Sequence, residues 1–242
     1  DDDPNVVAQF GALLREAGMG GVECTDGDQA LRETRRCPPD VVLSDILMPG
    51  LDGFGLCRAI RRDVALRHTP VILLSWKEDL LQRMRELGAQ AAGYLRKDAT
   101  GEAVLSRLRG ALRVRVRLLK RIADLGPGAE VRGRVEQVGA VTLLSAVGKH
   151  LRDARVTLTD AVSVTEIELR GAEVVSAVRT AQDGGFVRGD AAILRALATS
   201  GARFAVSLSD QPVRSTTREA LDPMLQRCAR RLSALEAAVS GA

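Results

Sequence analysis

Residues 41–53 read Val41-Val42-Leu43-Ser44-Asp45-Ile46-Leu47-Met48-Pro49-Gly50-Leu51-Asp52-Gly53. A short apolar run ends in a carboxylate, a Pro-Gly turn follows, and a helical pattern from Phe54 to about Asp63 comes next. The same alternation extends on both sides. Asn5 to Ala17 carries Val6, Val7, Phe10, Leu13 and Leu14 at helical spacing and stops at Gly18. A strand is expected near Val22–Cys24 and a helix from about Asp28 to Arg36, stopped by Pro38-Pro39. Downstream lie the apolar run Val71–Leu74, a helix from about Glu78 to Leu87 and a strand over Ala91–Leu95. Short apolar strands alternating with amphipathic helices predict an α/β, doubly wound parallel sheet covered on both faces.

In such sheets functional groups gather beyond the carboxyl ends of the strands. Asp45 follows Val41–Ser44, Ser75 follows Val71–Leu74, and Lys97 follows the last strand. Asp1, Asp2 and Asp3 precede the first helix, where an earlier strand would end. Several carboxylates, a hydroxyl and an ammonium are thus expected on one rim. Clustered carboxylates repel unless a hard cation neutralises them, and Mg²⁺ held by carboxylates and a phosphate fits. An Asp beside that ion can attack phosphorus, with Lys97 and Ser75 stabilising the transferred group. Taken singly, the same residues have plainer roles: Asp45 as a cap or turn former, Ser75 as a helix cap, Tyr94 as a half-buried strand residue and Lys97 as a solvated cation. Only 4 of the 35 basic residues are Lys, so a Lys at the rim of an Arg-using chain favours the functional reading.

Composition bounds the rest. The 242 residues suit two ordinary domains, and 45% hydrophobic with 27% charged residues suits a core-forming protein. No apolar run approaches a membrane span and no signal-peptide pattern opens the chain, so a cytoplasmic protein is expected. Four scattered cysteines, Cys24, Cys37, Cys57 and Cys228, argue against a disulfide framework or a zinc site. The net charge of +4 is uneven. Residues 1–100 hold 13 basic and 16 acidic side chains, residues 101–125 hold 7 and 2, and residues 126–242 hold 15 and 13. With only 2% aromatic residues, a base-stacking surface is not expected, and nucleic acid is disfavoured as a partner.

The segments DDDP at residues 1–4, SDILMPGLDG around Asp45, TPVILLSW ending past Ser75 and GYLRKDAT around Lys97 resemble the receiver domain of bacterial two-component response regulators. The four motifs stand in family order over about residues 1–110. The resemblance implies a five-stranded flavodoxin-like receiver whose first strand is absent before Asp1, so the sequence is expected to be a fragment. It implies Asp45 as phospho-acceptor, and Asp1, Asp2, Asp45 and the Leu47 backbone carbonyl as ligands of Mg²⁺ or Mn²⁺. It also implies Ser75 as the hydroxyl switch residue, Tyr94 as an aromatic that changes rotamer and Lys97 as phosphate partner. The implied activity is self-phosphorylation on Asp only, with a sensor histidine kinase or phosphotransfer protein as donor.

Two positions depart from the family. Asp98 follows the Lys where Pro is usual, so a cis bond there would cost about 2.5–4 kcal/mol and a trans loop is expected. Trp76 follows Ser75 where a small residue is usual, and would restrict access to an acyl phosphate or provide a contact surface. An Asp-nucleophile phosphatase on a similar sheet would need a second Asp at position 47, where Leu47 stands.

Residues 111–128 are expected to be a basic helical linker that continues the last receiver helix to Gly126-Pro127-Gly128, although Arg113–Arg117 alternates like a strand. Its cations suit a solvated or packing helix better than a nucleic-acid or lipid surface. Residues 129–242 read as a smaller α+β domain. Strands are expected near Val131–Val135, Val156–Thr159, Val162–Leu169, Val174–Val178 and Phe204–Leu208. Helices are expected over Val141–Leu151, Asp190–Ala198 and about Ser215–Val239. Gly171 supplies a hairpin turn, Asp183-Gly184-Gly185 reads as a turn too short for a phosphate loop, and His150 reads as a surface residue. The runs RGRVEQVGAVTLLSAVGKHLRDARVTL, EIELRGAEVVSAV and GARFAV resemble the PATAN-type domain found beside receivers, over about residues 130–210. That likeness implies protein–protein interaction without catalysis, through an output protein or a homodimer. The alternatives are a receiver-like module that signals without phosphorylation and a DNA-binding transcriptional regulator.

Overall fold

The computed structural model describes residues 1–76, 91–199, 201–209 and 218–240. The chain divides into two compact units, Asp1–Arg113 and Val114–Ala242. The helix expected over Glu78–Leu87 lies outside the described residues.

The first unit contains α1 (Pro4–Glu16), α2 (Gly27–Arg36), β1 (Val42–Asp45), α3 (Gly53–Arg62), β2 (Val71–Ser75), β3 (Gly93–Arg96) and the start of α4 (Gly101–Ala123). The helices begin where a short polar side chain can satisfy an otherwise orphaned N–H. Asp3, Asp26 and Asp52 accept from the amides of Asn5, Gln29 and Gly55 at 2.8, 2.6 and 2.6 Å. The three strands form a parallel sheet in the order β1-β2-β3, with Asp45 opposite Leu74 and Ser75 opposite Arg96.

Strand β2 is buried along its whole length, and its side chains alternate between two cores. Val71 and Leu73 join Ile46 and the α3 residues Leu56, Cys57 and Ile60, with Ala30 and Leu31 of α2 packed on them. Ile72 points the other way, toward Val104 and Leu108 of α4, with Phe10, Leu13 and Leu14 of α1 against it. Helices therefore cover both faces of a parallel sheet, the arrangement expected from uninterrupted apolar strands.

The strand expected at Val22–Cys24 does not form, so the sheet has three strands among the described residues. Strand structure requires a neighbour to pair its N–H and C=O groups, and no described strand runs beside this segment. The bonds made there are of other kinds: the Asp1 nitrogen donates to the Cys24 carbonyl at 3.4 Å, and Arg15 donates to the Glu23 carboxylate at 2.6 Å. Val22 is correspondingly exposed. The alternating stretch Arg113–Arg117 is helical throughout, as part of α4.

The second unit contains β4 (Glu130–Arg134), a 3₁₀ turn (Val135–Gln137), α5 (Ala140–His150), β5 (Asp153–Thr159), β6 (Ser163–Arg170), β7 (Glu173–Ala181), β8 (Phe186–Arg188), α6 (Asp190–Ala198), β9 (Arg203–Leu208), β10 (Glu219–Ala220) and α7 (Leu221–Ser240). All its strand pairs are antiparallel, in the order β10-β7-β6-β5-β9-β4, with β8 also on β7. Val156 of β5 stands opposite both Ile167 and Val206, and all three are fully buried. The sequence neighbours Arg155 and Glu166 are exposed. The apolar stripes of α5, α6 and α7 supply Leu143, Leu144, Ile193, Leu197, Met224 and Leu225 to the same core. The hairpin turn at Gly171 has φ of +56°, a conformation that suits glycine. The short strands β8 and β10 are additions to the sequence-derived elements, and α7 starts at Leu221 rather than near Ser215. Residues 215–217 of that expectation lie outside the described residues. His150 is exposed, as expected.

Ile72 serves the α1/α4 core and is wholly excluded from solvent. Ile72→Ala is expected to destabilise the first unit by about 2–5 kcal/mol, measured as a lower denaturant midpoint with an unchanged slope.

Candidate phosphoryl-accepting site

The carboxyl ends of β1, β2 and β3 deliver Asp45, Ser75 and the residue after Arg96, Lys97, to one rim. The start of the chain brings Asp1 and Asp2 to the same place. One carboxylate oxygen from each of Asp1, Asp2 and Asp45 lies within 4.8 Å of the others. The Lys97 ammonium sits among them, 2.8 Å from Asp1 Oδ2 and 2.7 Å from Asp45 Oδ2. The side chains are nearly excluded from water, at 4% exposure for Lys97 and 6% for each of Asp1 and Asp45. Two poorly hydrated carboxylates thus face one ammonium, where charge interactions are strong, and the exposed Asp2 adds a third carboxylate to the cluster.

Asp45 is fixed by its surroundings. Its Oδ1 accepts the Ile46 N–H at 2.6 Å, and the same N–H also meets the Leu74 carbonyl at 3.1 Å. The second oxygen, Oδ2, faces Lys97. Asp1 Oδ2 is within ion-pair distance of Lys97, but its alignment makes no hydrogen bond, and it is buried. Carboxylate oxygens of Asp1, Asp2 and Asp45 within 4.8 Å of one another form a cluster of hard ligands that suits a divalent cation of the Mg²⁺ or Mn²⁺ kind.

The remaining expected residues fall around this centre. Ser75 is buried at the end of β2, and its carbonyl accepts the Lys97 N–H at 3.0 Å, tying the two strand ends together. Tyr94 is half-buried opposite Leu73 and packs on the core that contains Ile46. Leu47 lies in the loop after β1 with its side chain exposed. Among the described residues every peptide bond is trans, including Lys97–Asp98. The Asp98 carboxylate pairs with Arg96 at 2.6 Å, and that hydrogen-bonded guanidinium holds it below the usual carboxylate range. Asp3 takes no part in the cluster's ion pairing and caps α1 instead.

Trp76, singled out in the sequence as a restriction on access or a contact surface, holds its ring 5.8 Å from the Lys97 ammonium, a cation–π distance. Gly53 is a contributor that was not read from the sequence. A Cβ there would stand 2.1 Å from the Asp45 carbonyl oxygen, and the Gly53 N–H donates to the Ile46 carbonyl at 2.9 Å. The Asp52-Gly53 pair at the start of α3 was the available signal: only glycine lets that helix approach the end of β1 so closely.

Residues 1–109 match the family described as "Response regulator receiver domain". The DNA-binding response regulator MtrA of Mycolicibacterium smegmatis is 33% identical over 113 residues, which cover 47% of this chain and 48% of that protein. A gliding motility regulatory protein of Myxococcus xanthus is 37% identical over 106 residues, covering 44% of this chain and 14% of that protein. Among solved structures, the receiver domain of a Pseudomonas aeruginosa sensor histidine kinase, with magnesium in its active-site cleft, is 31% identical. It covers 47% of this chain and 93% of that one, at a TM-score of 0.43. The chain spans about half the length of MtrA. Among the described residues, no helix is long and apolar enough to cross a membrane.

Gly53→Ala is expected to push the end of β1 away from α3, costing about 1–3 kcal/mol of stability, read as a lower denaturant midpoint. The acidic rim, the lysine bridge and the match over residues 1–109 together make the N-terminal half of this chain a response regulator receiver domain.

Proposed function

We propose that this chain is a response regulator that accepts a phosphoryl group on Asp45 from a histidine kinase or phosphotransfer protein. The observation that carries this reading is the Lys97 ammonium held between Asp45 and Asp1 in a buried pocket. Asp45 Oδ2, turned toward Lys97, is the attacking oxygen. It forms the new O–P bond while the donor's N–P bond breaks and its electron pair returns to the imidazole. Lys97 then follows the negative charge onto the phosphoryl oxygens, where an ammonium acts as a compact counter-charge. Asp1, Asp2, Asp45 and the Leu47 carbonyl would hold Mg²⁺, which when bound neutralises the charge crowded at the reacting group. Ser75, next along β2, is placed to donate to the phosphoryl oxygen, and Tyr94 repacks on the half-buried side of β3.

The second unit serves as the output on this reading. Its antiparallel sheet backed by α5, α6 and α7, together with the PATAN-type sequence likeness, supports binding of a partner protein or of a second copy, with no chemistry of its own. A cytoplasmic setting follows from a kinase-fed relay. The name of MtrA favours DNA as the alternative target, but that match covers only 113 residues and half of that protein. The aromatic-poor composition and the near-balanced charge of residues 126–242 support protein over duplex DNA.

The test is labelling with a ³²P-phosphoryl donor. Label is expected on the wild type with Mg²⁺, with none after chelation and none on Asp45→Asn. Failure of the wild type to take label leaves the phosphorylation-independent module as the surviving reading. Mg²⁺ alone is expected to raise the midpoint of thermal unfolding in the wild type, by about 1.4 kcal/mol of stability at ten times its dissociation constant. A salt-sensitive gel shift with duplex DNA would instead bring the DNA-binding alternative forward.

A further inference from the structure

We propose that Trp76 is a positioning residue of this pocket, screening a phosphoryl group on Asp45 from water and so lengthening its lifetime. The inference rests on the phosphorylation of Asp45 proposed above.

Trp76 is the only tryptophan in the chain and follows directly on Ser75 at the end of β2. It is 59% exposed, an unusual position for the largest apolar side chain unless one of its faces has work to do. Its ring centroid is 5.8 Å from Lys97 Nζ, and the same Nζ is 2.7 Å from Asp45 Oδ2. The ammonium therefore links the indole to the reacting carboxylate. Lys97 lies at the rim of a sheet, where lysine is normally solvated, yet its side chain is 4% exposed, and the indole is one of the groups over it.

Loss of the phosphoryl group is a hydrolysis. A water oxygen attacks phosphorus from the side opposite Asp45, the new O–P bond forms, and the Oδ2–P bond breaks. Its electron pair returns to the carboxylate, and a proton from the water passes to solvent with inorganic phosphate. An indole 5.8 Å from the ammonium that touches Asp45 Oδ2 stands close enough to restrict the water that reaches a phosphoryl group there. It also steadies the ammonium that the phosphoryl oxygens need, through the attraction between a cation and the ring face. Both effects act on the lifetime of the acyl phosphate and leave the identity of the nucleophile unchanged.

The experiment loads the full chain with ³²P-acetyl phosphate and Mg²⁺, removes the donor, and follows loss of label in wild type, Trp76→Ala and Trp76→Phe. Because the side chain is exposed and outside both cores, neither substitution removes core packing. Label is expected to decay about three- to fivefold faster in Trp76→Ala, with Trp76→Phe staying within about twofold of wild type because it keeps a ring. The single indole gives a second readout: wild-type fluorescence is expected to change on phosphorylation as Lys97 turns toward the phosphoryl oxygens. Equal decay in wild type and Trp76→Ala, with both taking label, overturns the screening role and leaves Asp45 as acceptor. A wild type that takes no label overturns the phosphorylation reading and this inference with it.

Discussion

The rim of the first unit depends on one ammonium placed between two carboxylates that water scarcely reaches. Lys97 meets Asp1 and Asp45 at 2.8 and 2.7 Å, and Asp2 brings a third negative charge to the same cluster. Removing charges from water costs several kcal/mol per ion, offset only where opposite charges and hydrogen bonds are well placed. One cation against three carboxylates leaves the offset incomplete. The pocket is therefore built with a standing attraction for additional positive charge, felt where the oxygens of Asp1, Asp2 and Asp45 converge. Those carboxylates and the ammonium come from segments far apart in sequence, so the parallel sheet must hold its strand ends in register for the cluster to exist.

That register is secured from both sides of β2. Leu73 and Val71 lock into the α2/α3 core while Ile72 locks into the α1/α4 core, so the strand cannot slip by one residue without exchanging its faces. Gly53 then brings α3 against the last carbonyl of β1, and the Ser75 carbonyl captures the Lys97 N–H. The second unit solves a different problem. Strand β5 buries one face, and alternation of Ala154, Val156 and Leu158 with polar neighbours is sufficient to define which face.

How much of this could be read from residues alone follows from the physics of each element. Apolar runs such as Val71–Leu74 and amphipathic helices such as Asp190–Ala198 are local signals, and they appear where expected. The pocket residues were legible because strand ends converge in a parallel α/β sheet, which is a rule of topology. The strand at Val22–Cys24 was not, because its apolar character is local whereas its pairing depends on a neighbour. Arg113–Arg117 alternates like a strand, but it lies inside a helix that begins at Gly101 and continues to Ala123, and the longer pattern prevailed. The short strands Phe186–Arg188 and Glu219–Ala220 exist only through their partner β7, so nothing in three or two residues could announce them. The contact of Trp76 with Lys97 likewise joins side chains from two different strand ends.

The same connections determine what a charge added at Asp45 can do. Asp45 Oδ1 accepts the N–H of Ile46, and Ile46 is 1% exposed inside the core on which Tyr94 packs. A close-packed interior does not deform continuously, so a displacement imposed on that carboxylate is resolved by side chains moving between discrete arrangements. Tyr94 is the half-buried aromatic of that core lying on β3. Meanwhile Lys97, two residues beyond Leu95, is drawn by the new charge while its own N–H stays bonded to Ser75. A displacement at Asp45 would, on the proposed reading, be felt along β3 and at the Tyr94 contact. On the proposed reading, the surface that changes most is the one bordering β3, and the +4 overall charge has little part in it.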